Sequence, residues 1–313
     1  MHMAPSKFLP LLAALALSCS GSVDADLTEG PRVVCTTAMI GDLAREVAGD
    51  HASVSTLFGA DMDPHLFRPT RDDVKLLMAA DLVLYNGLHL EGYLADALER
   101  VGDSGVEVIP VAERVLLEDE RIDSEAAPDP HVWMDASIWS RVPLLIAGAL
   151  GQQRPSAGAA FTSRAAAIEA RLLAADEAYR GSFGALAPDR RMLLTAHDAF
   201  RYFGRRYGLE VRGIQGVSTT SEASLSTIEE LVNVVVERDI PAVFFESTVS
   251  ERNVKALLEG ARARGHVLRI GGVLHADAPG DAVTYEAMLE SNVRTILSAL
   301  GAERARAAGA DVR

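Results

Sequence analysis

The chemistry of this chain is concentrated in its histidines. There are eight among 313 residues: His2, His51, His65, His89, His131, His197, His266 and His275. Three of them stand where an apolar strand hands over to a loop. His65 ends Ala60-Asp61-Met62-Asp63-Pro64-His65, His131 lies in Asp129-Pro130-His131-Val132-Trp133-Met134-Asp135, and His197 closes Leu193-Leu194-Thr195-Ala196-His197. The tripeptide Asp-Pro-His therefore occurs twice, and its proline fixes the backbone before the imidazole, which lowers the entropic cost of aiming the ring. A cage of neutral imidazoles around a divalent cation needs a group that offsets part of the metal charge. Asp277 offers one, in Gly271-Gly272-Val273-Leu274-His275-Ala276-Asp277, behind a strand predicted to end at Ile270. His275, two residues earlier, shares the face of Asp277 on an extended segment and is an alternative ligand. The plain competing reading is three unrelated loop histidines.

The elements that must position these residues alternate. Strands are predicted over Arg32–Thr37, Ala52–Phe58, Leu82–Tyr85 and Val106–Val111, with helices over Met39–Ala48, Arg71–Ala80, Leu90–Val101 and Ser137–Leu150. After Pro188 the alternation resumes. Strands fall at Arg191–Thr195, Val211–Ile214, Ala242–Phe245 and Val267–Ile270, and helices at Phe200–Tyr207, Ser226–Arg238, Glu251–Arg264 and Tyr285–Ala299. Such alternation implies parallel sheets covered by helices, with ligand sites beyond the carboxyl ends of the strands. Between the two halves, Phe161, Ala165, Ile168, Leu172, Ala175, Tyr179 and Phe183 form one apolar stripe with helical spacing. That stripe predicts a single helix over Arg154–Phe183, ended by Gly184 and Pro188 and roughly 45 Å long. The expected class is α/β: two lobes of mostly parallel sheet with covering helices, joined by one long connecting helix. The expected division is residues 31–152, 153–187 and 188–313, after a leader and tether at 1–30.

The chain is long enough for two domains. Its formal net charge of −14 argues against nucleic acid as a partner, because phosphate recognition needs a basic face. The apolar run Phe8–Leu17 after Lys7 is too short to span a bilayer and suits a signal peptide. Cys19 follows that run directly, as in a lipoprotein signal where the cysteine is acylated, and Ser20–Gly30 reads as a polar tether. The only other cysteine, Cys35, sits in the strand Val33-Val34-Cys35 and reads as a small core residue.

Six stretches carry a resemblance to a known family: "DPHLFRPTRDDV", "LVLYNGLHLEGYL", "DPHVWMD", "TAHDAFRYFGRRYGLEVRGIQGVSTTSEAS", "IPAVFFESTVSERNVKAL" and "RIGGVLHADAPG". Together they resemble the cluster 9, TroA-like solute-binding proteins of zinc and manganese ABC importers, over nearly the whole chain after Pro31. The resemblance implies two lobes bridged by one long helix, with one divalent metal, Zn(II) or Mn(II), between them. It carries the ligand set onto His65, His131, His197 and Asp277, two from each lobe. It implies a monomer outside the cytoplasm, in the periplasm or on the cell surface and lipid-anchored through Cys19. The implied partner is a membrane permease with its cytoplasmic ATPase. His89 belongs to the matched pattern at a helix start in a structural role. Glu222 and Glu246 are placed either to hydrogen-bond near the site or to brace caps and loops.

The chief rival function is a zinc hydrolase. Zinc catalysis uses three protein ligands and an open water position, whereas four ligands are expected here, and no HExxH occurs. A surface adhesin on the same fold is the other alternative. The metal clues conflict: the acidic segment Leu117–Asp129 has no histidine, unlike the His-rich loop of many zinc-specific relatives. His197 stands where many manganese-specific relatives carry Glu.

Overall fold

The computed structural model describes residues 30–123 and 127–301. The expectations for the leader, Cys19 included, and for the tail beyond Gly301 lie outside the described residues. In the first lobe β1 (Arg32–Cys35), β2 (Ser53–Thr56), β3 (Leu82–Tyr85) and β4 (Glu107–Pro110) form one parallel sheet in the order β2-β1-β3-β4. Val33 pairs with both Val54 and Leu82, so β1 is central. Both faces of β1 are buried, as a parallel sheet covered by helices requires.

The helices of this lobe are α1 (Ala38–Ala48), α2 (Arg71–Met78), α3 (Ala95–Asp103), α4 (Val111–Val115), α5 (Ala136–Trp139) and α6 (Val142–Gln153). Thr37 starts α1 by accepting the Ile40 N–H at 3.4 Å. Thr70 and Asp73 start α2 by capping each other's backbone N–H groups, at 2.8 and 3.2 Å. The helix predicted over Ser137–Leu150 is two helices, because Pro143 has no N–H for the carbonyl of Trp139. The connector also begins later than its sequence suggests. Arg154, held extended by the following proline, breaks the chain at φ −138°, and Pro155–Ala157 form a 3₁₀ turn. Helix α7 then runs from Gly158 to Gly184, 27 residues and about 40 Å.

The second lobe holds β5 (Met192–His197), β6 (Glu210–Gln215), β7 (Ala242–Glu246) and β8 (Arg269–Leu274), paired in parallel as β5-β6 and β7-β8. Strand β5 lies beside β7. Covering them are α8 (Arg201–Tyr207), α9 (Leu225–Glu237), α10 (Arg252–Ala263) and α11 (Tyr285–Gly301). Strand β8 does not stop at Ile270 as predicted but continues through two glycines. Gly272 takes φ +145° where the pairing with β7 slips between Val243 and Phe244. A side chain on Gly271 would stand 2.5 Å from the Phe244 ring, so both glycines keep the strand flush with its neighbour.

One core runs through both lobes. It joins Val33 and Met39 to Trp133, Trp139, Phe161, Leu172, Phe203 and Tyr285. Two smaller clusters lie apart, one around Leu77, Val83 and Leu98 in the first lobe and one around Leu194, Val232 and Leu257 in the second. The connector packs on α1, α5 and α6 of the first lobe and on α8 and α11 of the second. Its Arg171 forks between Glu46 of α1 and Glu286 of α11, with nitrogen–oxygen distances from 2.6 to 3.2 Å. Further bonds cross between the lobes, among them three around Trp133 and Tyr285. Trp133 Nε1 donates to the Ala276 carbonyl at 2.9 Å, the Tyr285 hydroxyl donates to the Trp133 carbonyl at 2.8 Å, and Asp42 accepts the Tyr285 N–H at 2.9 Å. The fold is thus α/β, with two sheeted lobes and a long connecting helix. Among the described residues no helix is long and apolar enough to cross a membrane.

Candidate metal centre

All four sequence-predicted ligands converge between the lobes. One donor atom each from His65, His131, His197 and Asp277 lies within 4.8 Å of every other, and all four residues are buried. Of the three histidines only His197 ends a strand, as expected; His65 and His131 are brought in by longer loops. His65 sits in the loop from β2 to α2, His131 precedes the 3₁₀ turn Val132–Met134, His197 is the last residue of β5, and Asp277 lies three residues past β8.

The spacing suits a cation. Tetrahedral zinc with bonds of 2.0–2.1 Å sets its ligand atoms about 3.3 Å apart. Here His131 Nε2 is 3.2 Å from Asp277 Oδ1, His197 Nε2 is 3.3 Å from Asp277 Oδ2, and the Nε2 atoms of His65 and His131 are 3.5 Å apart. His65 Nε2 stands 4.0 Å from Asp277 Oδ2. Asp277 turns one oxygen toward His131 and the other toward His197, so it can bind through one oxygen or both. Neither oxygen has a well-aligned hydrogen-bond partner, and nor does His197 Nε2. Buried polar atoms in that condition are costly, and a coordinated cation removes the cost.

A carboxylate holds the backbone of each histidine, and for His131 and His197 it stands at the ring as well. In both Asp-Pro-His tripeptides the aspartate folds back as an Asx turn. Asp63 Oδ1 accepts the His65 N–H at 2.9 Å, and Asp129 Oδ1 accepts the His131 N–H at 3.0 Å. Asp129 Oδ1 also stands 2.7 Å from His131 Nδ1. Glu246, at the end of β7, holds His197 similarly: Oε1 accepts its N–H at 2.7 Å, and Oε2 lies in ion-pair range of its Nδ1, 2.5 Å away and out of hydrogen-bond alignment. A carboxylate on Nδ1 fixes the tautomer that leaves Nε2 bare for metal. Asn86 steadies the His131 loop, donating from Nδ2 to the Pro130 carbonyl at 3.0 Å.

The charges divide accordingly. Burial works against a proton on His131, but Asp129 and then Asp277 overcome it and raise the pKa to about 9. Burial likewise opposes protonation of His197, and Glu246 followed by Asp277 lifts its pKa well above the usual imidazole value. His65, without such a partner, is lowered to about 4, mainly by burial. Burial pushes Asp277 up, but His197 and His131 outweigh it and hold the carboxyl well below its usual range.

Other flagged residues lie elsewhere. The chain bends after Leu274, so His275 does not share a face with Asp277; its Nε2 points toward Asp281 at 3.5 Å. Glu222 accepts from Asn253 Nδ2 at 3.2 Å and braces that loop. His89 is exposed in a left-handed turn at φ +66°. Glu91 stabilises the start of that turn, accepting from Thr36 Oγ1 and Asn86 N at 2.7 Å and from Gly87 N at 3.1 Å. Sequence reasoning missed Asp129 as a ring anchor. The signal is the aspartate two residues before the histidine in both Asp-Pro-His tripeptides.

The comparisons agree with this architecture. The family described as ZnuA, zinc-uptake complex component A periplasmic, matches residues 33–299. The chain is 42% identical over 289 residues to zinc-binding protein TroA of Treponema pallidum (strain Nichols), covering 90% of this chain and 92% of that one. It is 38% identical over 297 residues to manganese-binding lipoprotein MntA of Bacillus subtilis (strain 168), covering 93% and 97%. The solved structure of the periplasmic zinc binding protein TroA from Treponema pallidum superposes with a TM-score of 0.83 at 41% identity, covering 87% of this chain and 99% of that one. Fold, motif set and sequence all lead to the same place: this chain belongs to the ZnuA family.

Proposed function

We propose that the chain captures one divalent transition-metal ion, zinc or manganese, outside the cytoplasm and delivers it to the permease of an ABC importer. One observation carries the reading most: four buried donors drawn from two lobes, three imidazoles and a carboxylate, spaced for a single cation. The relatives' names, zinc-binding protein and manganese-binding lipoprotein, support the same cargo class. His65, His131, His197 and Asp277 are the proposed ligands, with lobes at residues 31–152 and 188–313 and the connector at 153–187. Binding across lobes makes the metal a staple between them.

The protein acts as a monomeric carrier and not as an enzyme in this reading. Four protein donors leave no water-bearing position of the kind hydrolytic zinc needs. Cys19 is the proposed acylation site, and the lipoprotein name of a relative supports an anchor there. Imidazole-rich sites favour zinc, and the Irving–Williams order points the same way, so zinc should bind more tightly than manganese in vitro.

Calorimetric titration of the purified protein with Zn(II) and Mn(II) tests the reading. One ion should bind, and His65→Ala, His131→Ala, His197→Ala and Asp277→Ala should each weaken it strongly. A variant with unchanged affinity removes its residue from the site. Hydrolase activity that needs the same four residues would overturn the carrier reading.

A further inference from the structure

The two Asp-Pro-His turns use their aspartates differently. Asp129 spends its inner oxygen on its own histidine, at both the backbone N–H and the ring. Asp63 accepts only the backbone N–H of His65, and its second oxygen reaches the other lobe. There Oδ2 accepts the hydroxyl of Thr219 at 2.6 Å, from the loop between β6 and α9. The His65 loop has a second tie to that lobe, the Gly280 N–H donating to the Ala60 carbonyl at 2.9 Å. Within its own lobe the stretch leading to His65 is lightly held: Met62 and Leu66 are 39% and 50% exposed, the backbone contacts Met62–Gly59 and Leu66–Asp63 are long at 3.2 and 3.3 Å, and the firm anchor follows His65, where the Phe67 ring packs on Phe58 at 4.6 Å.

We propose that Thr219 and Asp63 are positioning residues for the cargo. The second lobe sets the place of the first lobe's most loosely held ligand, so His65 is fully engaged only while the Thr219 loop is docked. The inference rests on the metal-carrier reading and adds to it a step for release. Undocking the loop frees Asp63, the Asx turn loses its outer support, and His65 leaves the ion first. His131 and His197, each fixed by its own carboxylate, stay in place.

The test uses the full mature chain loaded with Zn(II) and, separately, Mn(II), mixed rapidly with excess chelator. Thr219→Val keeps the side-chain shape and removes the hydroxyl. It should release metal faster by roughly tenfold, the scale of a lost hydrogen bond to a charged acceptor. Association should be little changed and the stoichiometry should stay at one ion. Thr219→Ser restores the hydroxyl and should return the release rate to near wild type. Release from Thr219→Val at the wild-type rate overturns the proposal, as does equal acceleration by Val and Ser. Equal losses of melting temperature in the metal-free and loaded Thr219→Val proteins would make Thr219 merely structural and overturn it too. Wild-type protein that takes up neither ion would instead defeat the carrier reading itself.

Discussion

A single oxygen of Asp129 meets His131 twice, at the backbone N–H and at the ring Nδ1, 3.0 and 2.7 Å away. Backbone and ring are thus referenced to one point, and Nε2 can face only the Asp277 side. Asp129→Ala should lower zinc affinity by about 10- to 100-fold while leaving the four donors and the one-ion stoichiometry intact. Calorimetry reads this directly, and unchanged affinity would mean that packing alone aims the ring.

The third ligand is the natural place to retune the metal, and its neighbour complicates the swap. His197→Glu adds a hard oxygen donor, but it also sets a carboxylate beside Glu246, whose Oε2 lies 2.5 Å from Nδ1 of the present imidazole. Two buried carboxylates at that range repel. The single variant should therefore lose affinity for both zinc and manganese. His197→Glu combined with Glu246→Gln removes one charge, and competition titration should then show recovered binding with a narrower zinc preference. A double variant that keeps the wild-type zinc preference would show that cavity geometry, and not ligand identity, sets selectivity.

Metal and protons compete for the same nitrogens. With His131 raised to about 9 and His197 raised well above 6.5, both should carry a proton in the metal-free protein at neutral pH. Coordination needs both bare, so zinc uptake near pH 7 should release about two protons, measured by calorimetry in buffers of different ionisation enthalpy. Affinity should rise with pH at least up to about 9, where His131 deprotonates. In the metal-free protein the sign reverses. Stability from the raised His131 is present in full below 6.5 and is lost as pH rises through about 9. Proton-free binding at pH 7 would contradict the charge assignment.

Cys35 reports on the closed state. It is fully buried in β1, and burial pushes its thiol up to about 12. In a Cys19→Ser chain an alkylating reagent at pH 8 should label Cys35 only through opening of the fold. Saturating zinc, which binds the native state and not the unfolded chain, should slow labelling and raise the melting temperature. Labelling as fast with zinc as without would mean that metal does not staple the lobes.

Much of this was legible in the sequence, because it depends on local pattern. The strand at Leu82–Tyr85 falls where its apolar run predicts, and the connector's stripe is buried at Phe161, Ala165, Ile168, Leu172 and Phe183. His197 and Asp277 sit at or just past the carboxyl ends of β5 and β8, where the alternating pattern puts a site, while His65 and His131 come in on longer loops set by their Asx turns. Boundaries failed where one residue outweighs a pattern. Pro143 splits a helix, Arg154 delays the connector, and Gly272 lets β8 run on past Ile270. The Thr219–Asp63 bond spans 156 residues of chain, and no local pattern encodes it.

The connector carries one more consequence. A helix of 27 residues that packs on helices of both lobes, and is pinned at Arg171 to Glu46 and Glu286, has no joint along its length. Loaded and empty forms should then share nearly one outline, and small-angle scattering with and without metal would read a large change in radius against it. A membrane partner that must tell a full carrier from a spent one has little silhouette to judge by. The message is written in the few loops at the mouth of the cleft, in whether the His65 loop lies flat against its neighbour or stands away from it.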